Sequence, residues 1–422
     1  MGEWKASDWG VVAIFVVVYL GMILGGLPRL KLNRAGVALL GAIAVVGMGA
    51  IDTEQAARAI DLPTVLLLFS FMVVSAQMRL GGFYTAVTVQ VAALPLGPIG
   101  LLGALILVAG SLSAVFSNDI VCLAMTPVVV RACLKRGFDP VPFLLGLACA
   151  ANIGSAATLI GNPQNMLIGS VLRLPFDAYV RQALPPVGWS LLLLWAWLGW
   201  RLRAADLHNR PHDLACRQEA GQMARDADPA DAKWPDFNAW QTVKGLGVAG
   251  ALLLIFLLTD WPREVAALVG AGVLLLSRQM HSTRVMGHVD WELLVMFMGL
   301  FVVNHAFQAT GLSTQGVALL AGQGVALADQ GPLFVAGVGL SNLVSNVPAV
   351  MLLLPHLHGM KSGLTLALVS TYAGNLLLVG SIANLIVVDL AHKAGVRIDW
   401  RMHARIGLPV TLLTLAVLWV WL

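Results

Sequence analysis

Two polar interruptions mark the first half of the chain: Ser117-Asn118-Asp119, and residues 152–165, which read NIGSAATLIGNPQN. A similar pair marks the second half: Ser345-Asn346-Val347-Pro348, and residues 374–384, which read GNLLLVGSIAN. Eight of the twelve asparagines in the chain lie in or beside these four patches. Amides are costly in lipid unless the protein uses them. Paired patches in corresponding places of two halves therefore indicate a binding site between repeats, a pattern typical of transporters.

The composition is that of a membrane protein. Charged residues make up 11% and apolar residues 58% of the chain, and the mean hydropathy is +0.82. A soluble domain carries about 25% charged residues, so a soluble enzyme is excluded and no catalytic residue is expected. The first apolar run, 11–26, follows no basic leader and is expected to be a retained span rather than a signal peptide. Four scattered cysteines predict neither a disulfide framework nor a metal site.

Hydropathy predicts five spans in each half of an all-α polytopic membrane protein. The predicted spans are 10–27, 35–51, 63–80, 141–172 and 185–200, then 242–258, 264–277, 291–309, 362–391 and 407–422. Two more apolar segments, about 98–132 and 331–355, are predicted to be hairpins that return to the side they entered from. The second is too short for two crossings of ~20 residues each and is expected to be re-entrant. The first segment is longer and could instead form two full spans.

Charge gives the spans an orientation. With both termini outside, the inner segments hold 20 and the outer segments 6 of the 26 basic residues, as the positive-inside rule requires. An odd number of spans makes the second half start on the opposite face, so the halves form an inverted-topology repeat. The stretch from Asp61 (DLPTVLLLF) resembles that from Asp290 (DWELLVMFM), and a glycine follows each, Gly81 and Gly311.

The predicted organisation has three parts. Residues 1–200 form the first transmembrane repeat, with a hairpin at about 98–132 and a broken helix at about 141–172. Residues 201–240 form a polar cytoplasmic linker with three prolines, and residues 241–422 form the second repeat, with a hairpin at about 331–355 and a broken helix at about 362–391.

The four patches have a common chemistry. Asn118 and Asn346 are expected at the hairpin tips, where a turn leaves backbone groups without helical partners. Gly161-Asn162-Pro163 and Gly380-Ser381 fall in the middle of spans, which are expected to unwind there. Freed carbonyls and side-chain oxygens suit a hard cation such as Na⁺, whereas helix N-termini suit an anion. Alternatively, a lone Asn, Ser or Thr in a span only holds packed helices together.

These patches supply the predicted site residues. The residues expected to couple an ion are Asn118, Asp119, Gly161, Asn346, Gly380 and Asn384. The residues expected to contact the substrate or shape its pocket are Ser117, Asn118, Thr158, Asn162, Asn165, Ser345, Asn346 and Ser381. No metal other than Na⁺ and no cofactor is expected. The patches contain no basic residue to clamp a carboxylate or phosphate, which favours a small or weakly charged solute, or recognition by helix ends alone.

Asp119 is the only acidic residue in the two hairpins, and Val347 stands at its place in the second. A carboxyl group within the membrane is a functional-site hypothesis by default. Burial favours its neutral form and would suit a proton carrier, whereas a bound Na⁺ favours the carboxylate. Asp119 could instead cap a helix that begins at Ile120, and one residue can serve both roles.

At these residues the chain resembles the ion transporter superfamily. That group includes divalent anion–sodium symporters, citrate transporter-like permeases, arsenite-efflux permeases and a class of Na⁺/H⁺ antiporters. The resemblance implies two re-entrant hairpins, a midplane site, alternating access and often a homodimer. The sodium–dicarboxylate branch typically has Ser-Asn-Thr at both tips, whereas Asn118-Asp119 is more similar to the arsenite-permease and anion-permease branches.

We therefore expect secondary active transport of a small anion, coupled to H⁺ or Na⁺, in a bacterial-type cytoplasmic (inner) membrane. The alternatives are a Na⁺/H⁺ antiporter, an arsenite or metalloid efflux permease with or without a partner ATPase, and a passive channel. The expected partners are a small anionic solute, the lipid bilayer and a second copy of the chain, and no nucleic acid.

Overall fold

The computed structural model describes residues 6–27, 30–206, 237–277 and 280–422, and all regular secondary structure in these ranges is helical. The first half contains ten α-helices: α1 Ala6–Leu24, α2 Arg34–Gly47, α3 Thr53–Ala59, α4 Leu62–Leu80, α5 Phe83–Ala93, α6 Pro98–Val115, α7 Asn118–Lys135, α8 Pro140–Ser155, α9 Pro163–Val171 and α10 Phe176–Asp206.

The second half repeats this order. Its helices are α11 Ala239–Leu258, α12 Arg263–Leu275, α13 Ser282–Met286, α14 Trp291–Ala309, α15 Leu312–Gly322, α16 Gln330–Val344, α17 Asn346–Leu353, α18 Gly359–Ala373, α19 Ile382–Lys393 and α20 Trp400–Trp421. Short 3₁₀ turns lie at Leu354–His356 and Leu378–Gly380.

Among the described residues, six helices are long and apolar enough to cross a bilayer: α4, α6, α10, α11, α14 and α20, where the span in α10 is Phe176–Ala204. Several shorter apolar helices pack among them, including α1, α2 and α8. The prediction of an all-α polytopic membrane protein is therefore confirmed. The orientation of the two halves in the membrane stays a prediction.

Matching local signals begin corresponding helices in the two halves. The Asp61 carboxylate accepts the Thr64 N–H at the start of α4, and the Asp290 carboxylate accepts the Leu293 N–H at the start of α14. A left-handed glycine then precedes α5 and α15: Gly82 (φ 71°) and Gly311 (φ 76°). The sequence comparison paired Gly311 with Gly81, one residue too early.

Contacts between the halves are crossed. Helix α2 of the first half packs against α14 of the second, and α4 of the first packs against α12 of the second. Within each half, the first hairpin arm packs on the first segment of the broken helix, α6 on α8 and α16 on α18. The two halves thus share an intertwined core, and the tips and breaks meet inside it.

Several predicted helix bounds were wrong. Helix α10 starts at Phe176 rather than 185 and continues through two prolines, and α20 starts at Trp400 rather than 407. Helices α1, α2 and α12 end earlier than predicted. The short helices α5 and α15 were missed. In the predicted linker, α10 extends to Asp206 and α11 begins at Ala239, while residues 207–236 lie outside the described ranges.

Tertiary hydrogen bonds explain why the prolines do not end these helices. Proline removes the hydrogen bond to the carbonyl four residues earlier. Four residues before Pro186, the Gln182 carbonyl accepts the Trp421 indole N–H at 3.0 Å. Four residues before Pro409 in α20, the Arg405 carbonyl accepts from Arg201 at 3.1 Å. These two freed carbonyls are each satisfied by the long helix of the other half.

Candidate functional site

The first tip is the turn between α6 and α7. Ser117 occupies the N-cap position of α7 without a side-chain hydrogen bond, and Asn118 is the first helical residue. The Asn118 N–H donates to the Gly161 carbonyl at 3.4 Å, which ties the tip to the first helix break. Asp119 therefore lies in the first turn of α7. The alternative role of Asp119 as the cap of a helix beginning at Ile120 is wrong.

The second tip joins α16 to α17 and has a different backbone. Ser345 has φ 77° and ψ 159°, a region that essentially only glycine occupies without strain. Holding a serine there costs about 1–3 kcal/mol. Asn346 then begins α17, followed by the buried Val347 and Pro348.

The first helix break separates α8 from α9 and is closed by its own amides. The Asn162 side-chain oxygen accepts the Asn165 N–H at 2.9 Å and so caps α9, while Pro163 occupies the first turn. The Asn165 side chain donates back to the Thr158 carbonyl at 3.1 Å. These bonds replace the helical ones that are lost when the span unwinds.

The second break separates α18 from α19 and follows the same plan with fewer side-chain bonds. Asn384 donates to the Leu377 carbonyl at 3.3 Å, seven residues earlier, as Asn165 does to Thr158. Asn384 also donates to the Gly374 carbonyl at 2.9 Å. Ser381 occupies the cap position but makes no cap hydrogen bond.

Ser381 instead reaches across to the first half, where Asn152 is the centre of the site. The Asn152 side-chain oxygen accepts from Asn118 and from Ser381, both at 3.0 Å. Its amide nitrogen donates to Asn375 at 2.8 Å and to Asn384 at 3.4 Å. One buried amide thus joins the first tip to the second break.

A reciprocal contact links the first break to the second half. The Asn162 amide donates to the Thr371 hydroxyl at 3.3 Å, and the Gln164 amide donates to it at 3.2 Å. Thr371 lies ten residues before Ser381, as Asn152 lies ten residues before Asn162. The two breaks therefore exchange equivalent hydrogen bonds.

Between the tips lies a cavity, here called the tip cavity. It is lined by Met22, Arg34, Asn118, Asp119, Pro163, Gln164, Leu293, Met296, Ser345, Asn346, Val347, Pro348, Ser381 and Ile382. About 50 Å³ of it is open to the centre of a water molecule. A single water needs about 10–15 Å³ on that measure, so the cavity has room for a few waters or one small solute.

The tip cavity divides the predicted site residues into two groups. Five of them line it: Asn118, Asp119, Ser345, Asn346 and Ser381. Seven do not: Ser117, Thr158, Gly161, Asn162, Asn165, Gly380 and Asn384. Most of the second group hold the breaks together. The Thr158 hydroxyl, for example, donates to the Ala114 carbonyl at the end of α6.

Three polar atoms at the tip cavity have no hydrogen-bond partner among the described residues. They are the buried side-chain oxygens of Asn118 and Asn346 and the buried Nε of Arg34. The Asp119 carboxyl group likewise forms no hydrogen bond or ion pair with any described residue. An unsatisfied buried polar group costs about 1–3 kcal/mol. Hydrogen bonds to these groups therefore have to come from water or from a solute in the cavity.

A profile of the citrate transporter family matches residues 14–373. The chain belongs to this family. The silicon efflux transporter LSI3 of Oryza sativa subsp. japonica is 29% identical to it, over 96% of this chain and 95% of the relative. The inner membrane protein YbiR of Escherichia coli (strain K12) is 31% identical, over 82% and 83%. The putative transporter arsB of Dictyostelium discoideum is 24% identical, over 92% and 87%.

Membership of the citrate transporter family confirms two predictions: the resemblance to the ion transporter superfamily, and the assignment as a membrane transporter rather than an enzyme. The family model covers both tips and the whole first break. The match ends at Ala373, just before the second break, so the second break lies outside it.

Sequence reasoning missed four polar residues of this citrate transporter family member. Arg34 begins α2, far along the chain from any patch, yet it lines the tip cavity. Gln164 lies inside a quoted patch and was not selected, and Thr371 stands just outside one. Asn152 was also quoted without being selected. An arginine at the start of an apolar span was the available signal for Arg34, but it predicted only an inner surface position.

Proposed function

We propose that this protein is a secondary active transporter for a small hydroxylated solute, either a neutral oxyacid or its singly charged anion. In this proposal the solute occupies the tip cavity and crosses by alternating access, with H⁺ carried by Asp119. The observation that carries the proposal is the set of partnerless groups around one small cavity: two amide oxygens, a carboxyl group and a guanidinium.

The size of the tip cavity favours a small solute. Room for a few waters suits a molecule of about four or five heavy atoms in this conformation. Citrate has more than twice as many heavy atoms and three carboxylates. A single arginine, Arg34, is the cavity's only cationic lining residue within the described part of the chain. We therefore propose a solute smaller and less charged than the one for which the family is named.

The lining chemistry suits hydroxyl groups. The free amide oxygens of Asn118 and Asn346 accept hydrogen bonds, and the Arg34 guanidinium donates them. Hydroxyl groups both donate and accept, so a compact oxyacid can satisfy both kinds of group. Two relatives have names in keeping with such solutes: a silicon efflux transporter, and a putative transporter named arsB.

Asp119 is the proposed coupling group because it lies at the solute cavity and is half-buried, without a partner among the described residues. A carboxyl group in that position exchanges a proton without breaking an ion pair. Na⁺ is the second candidate coupling ion, since the two free amide oxygens are hard ligands of the kind Na⁺ prefers. In that case the carboxylate of Asp119 would stay ionised.

Three further expectations complete the proposal. YbiR is named as an inner membrane protein, and we propose the same location here. The charge bias supports both termini outside. A homodimer is proposed from the superfamily resemblance.

The test is transport by the purified protein in liposomes, with an imposed pH gradient and then an imposed Na⁺ gradient. Silicic acid, arsenite, phosphate, succinate and citrate are offered in turn, while internal pH and solute uptake are recorded. We expect proton-driven accumulation of silicic acid or arsenite, and none of citrate. Asp119→Asn should abolish accumulation while solute exchange down its own gradient persists.

Asp389→Asn is the matched control, because Asp389 is an exposed acid paired with Lys393 on α19. It should leave proton-driven transport unchanged. Accumulation driven by Na⁺ alone would move the coupling to Na⁺. A Na⁺-driven pH change with no solute present would identify an antiporter and overturn the proposal, as would accumulation of citrate alone.

A further inference from the structure

A second cavity lies on the other side of the tips. It runs between the start of α4, α9, the last turns of α14 and the end of α17, and about 500 Å³ of it is open to the centre of a water molecule. Its polar lining residues are Arg58, Asp61, Asn304, His305 and Gln308. By the predicted topology this is the outer side, opposite Arg34.

The two cavities are neighbours along the same helices. Three helices, α9, α14 and the second-tip helix α17, each contribute one residue to the tip cavity and a later residue to the second cavity. The pairs are Gln164 and Leu167, Met296 and Phe301, and Pro348 and Met351. At a rise of about 1.5 Å per residue, these steps span roughly 4.5 to 7.5 Å. The wall between the cavities is therefore only about one helical turn thick.

Tyr19 of α1 forms the centre of this wall. Its hydroxyl donates to the Asn304 side-chain oxygen at 2.9 Å and lies 3.4 Å from the Pro348 carbonyl. Asn304 lines the second cavity and Pro348 lines the tip cavity. One buried hydroxyl thus bridges a wall residue of each cavity.

Asn304 is itself held in place. Its amide donates to the Leu300 carbonyl at 2.8 Å and approaches the Met351 sulfur at 3.9 Å. Tyr19 and Asn304 are each 5% exposed and Met351 is also 5% exposed. We call Tyr19, Asn304 and Met351 the plug.

We infer that the second cavity is a second solute-binding vestibule of the same pathway, and that the plug closes the passage between it and the tip cavity. This inference rests on the proposed function for the identity of the solute. The vestibule offers donors from Gln308 and from Arg58, which is also paired with Glu54. Deeper in, it offers the second lone pair of the Asn304 amide oxygen, which already accepts from Tyr19. These groups suit the same small hydroxylated solute on its way to or from the tips.

The plug can be tested without knowing the solute. Met296 lines the tip cavity, and a Met296→Cys variant on a Cys216→Ser background places a thiol there; the other native cysteines, Cys122, Cys133 and Cys149, are buried. A membrane-impermeant methanethiosulfonate is added to vesicles from the side on which His305 lies. We expect slow labelling with Tyr19 present and labelling at least about tenfold faster with Tyr19→Ala, because the ring that fills the wall is gone.

Two variants keep the experiment interpretable. Tyr19→Phe removes only the hydroxyl and should raise the labelling rate less than Tyr19→Ala. Tyr84→Ala deletes an equally buried ring on α5 that lines neither cavity, and it should leave the rate unchanged. Equal labelling rates of Met296→Cys with Tyr19 intact, with Tyr19→Phe and with Tyr19→Ala would overturn the plug, whatever the solute proves to be.

The vestibule is tested by a Gln308→Cys variant, labelled from the same side with and without silicic acid or arsenite. Slower labelling in the presence of solute supports a binding vestibule. Unchanged labelling in a protein that transports the same solute would overturn the vestibule and leave the proposed function intact. If no oxyacid is transported at all, the proposed function fails, and the plug is still decided by the Met296→Cys rates.

Discussion

The two half-sites differ more than their shared pattern suggests. Each has an Asn that begins a helix and keeps a buried amide oxygen free, Asn118 in the first and Asn346 in the second. The first tip adds a carboxyl group, at Asp119, on a relaxed backbone with Ser117 at φ −56°. The second tip has no charge and a strained backbone, with Ser345 at φ 77°.

The two helix breaks also differ, in how closely they are packed. The first break is packed so closely that a methyl group at Gly161 would clash with the Ser155 carbonyl oxygen and lie 2.6 Å from that of Ser113. The second break is looser: a methyl group at Gly380 would meet Asn342 and Gly374 oxygens at 3.2 and 3.3 Å. The repeat therefore provides one framework, in which the first half-site is charged and rigid while the second is neutral, strained and more open.

The largest difference is expected for coupling. Asp119→Asn should remove proton-driven accumulation, because the only acid in the two hairpins is lost. The counterpart Val347→Asn adds an amide at the equivalent place in the second tip and should keep coupling. Internal pH and solute uptake in liposomes measure both variants, and loss of coupling in both would break the proposed asymmetry.

Packing is the next largest difference. Gly161→Ala forces a methyl group against two backbone carbonyls and should destabilise the protein by about 3 kcal/mol, the upper end for overpacking. Gly380→Ala brings a methyl group within 3.2 and 3.3 Å of two oxygens, which is tight but short of a clash, and should cost about 1 kcal/mol, the lower end for overpacking. Thermal unfolding in lipid nanodiscs compares the two. Equal losses would mean that the second break is as tight as the first.

The third difference is expected in the hydrogen bonds that cross the site between the two halves. Asn152→Ala leaves Asn118, Ser381 and Asn375 short of a buried partner and should cost about 2 to 3 kcal/mol. Thr371→Ala at the equivalent position removes weaker contacts and should cost about 1 kcal/mol. Unfolding midpoints of the two variants, measured side by side, would contradict this ranking if Thr371→Ala were the more damaging.

The smallest effect should have the opposite sign. Ser345→Gly relieves a positive φ and should stabilise the protein by about 1 kcal/mol, since the strain relieved exceeds the entropy that glycine adds to the unfolded chain. Ser117→Gly has no strain to relieve and should be neutral or slightly destabilising. A rise in the unfolding midpoint for Ser117→Gly, or a fall for Ser345→Gly, would show that the second tip is not the strained one.

Many features of the two half-sites could be predicted from the sequence, because the residues that end, cap and restart a helix are adjacent in the chain. Gly161-Asn162-Pro163 contains the residues that let a helix stop, cap and restart, and the structure breaks the span there. Asp290 and Gly311 begin α14 and α15 for equally local reasons. Even so, the bounds of α10 were missed, because the Gln182 carbonyl that Pro186 frees is satisfied by Trp421, a residue far away in the chain.

By itself, the sequence determined the membrane class, the four polar patches and the single acid among them. Each depends on composition or on residues adjacent in the chain. Only the tertiary structure decided which patch residues face the cavity, since Asn118 and Asn165 are both buried amides and differ only in what surrounds them. It also brought Arg34 and Tyr19 to the tips. Contacts across hundreds of residues depend on how the helices pack, and no local pattern encodes them.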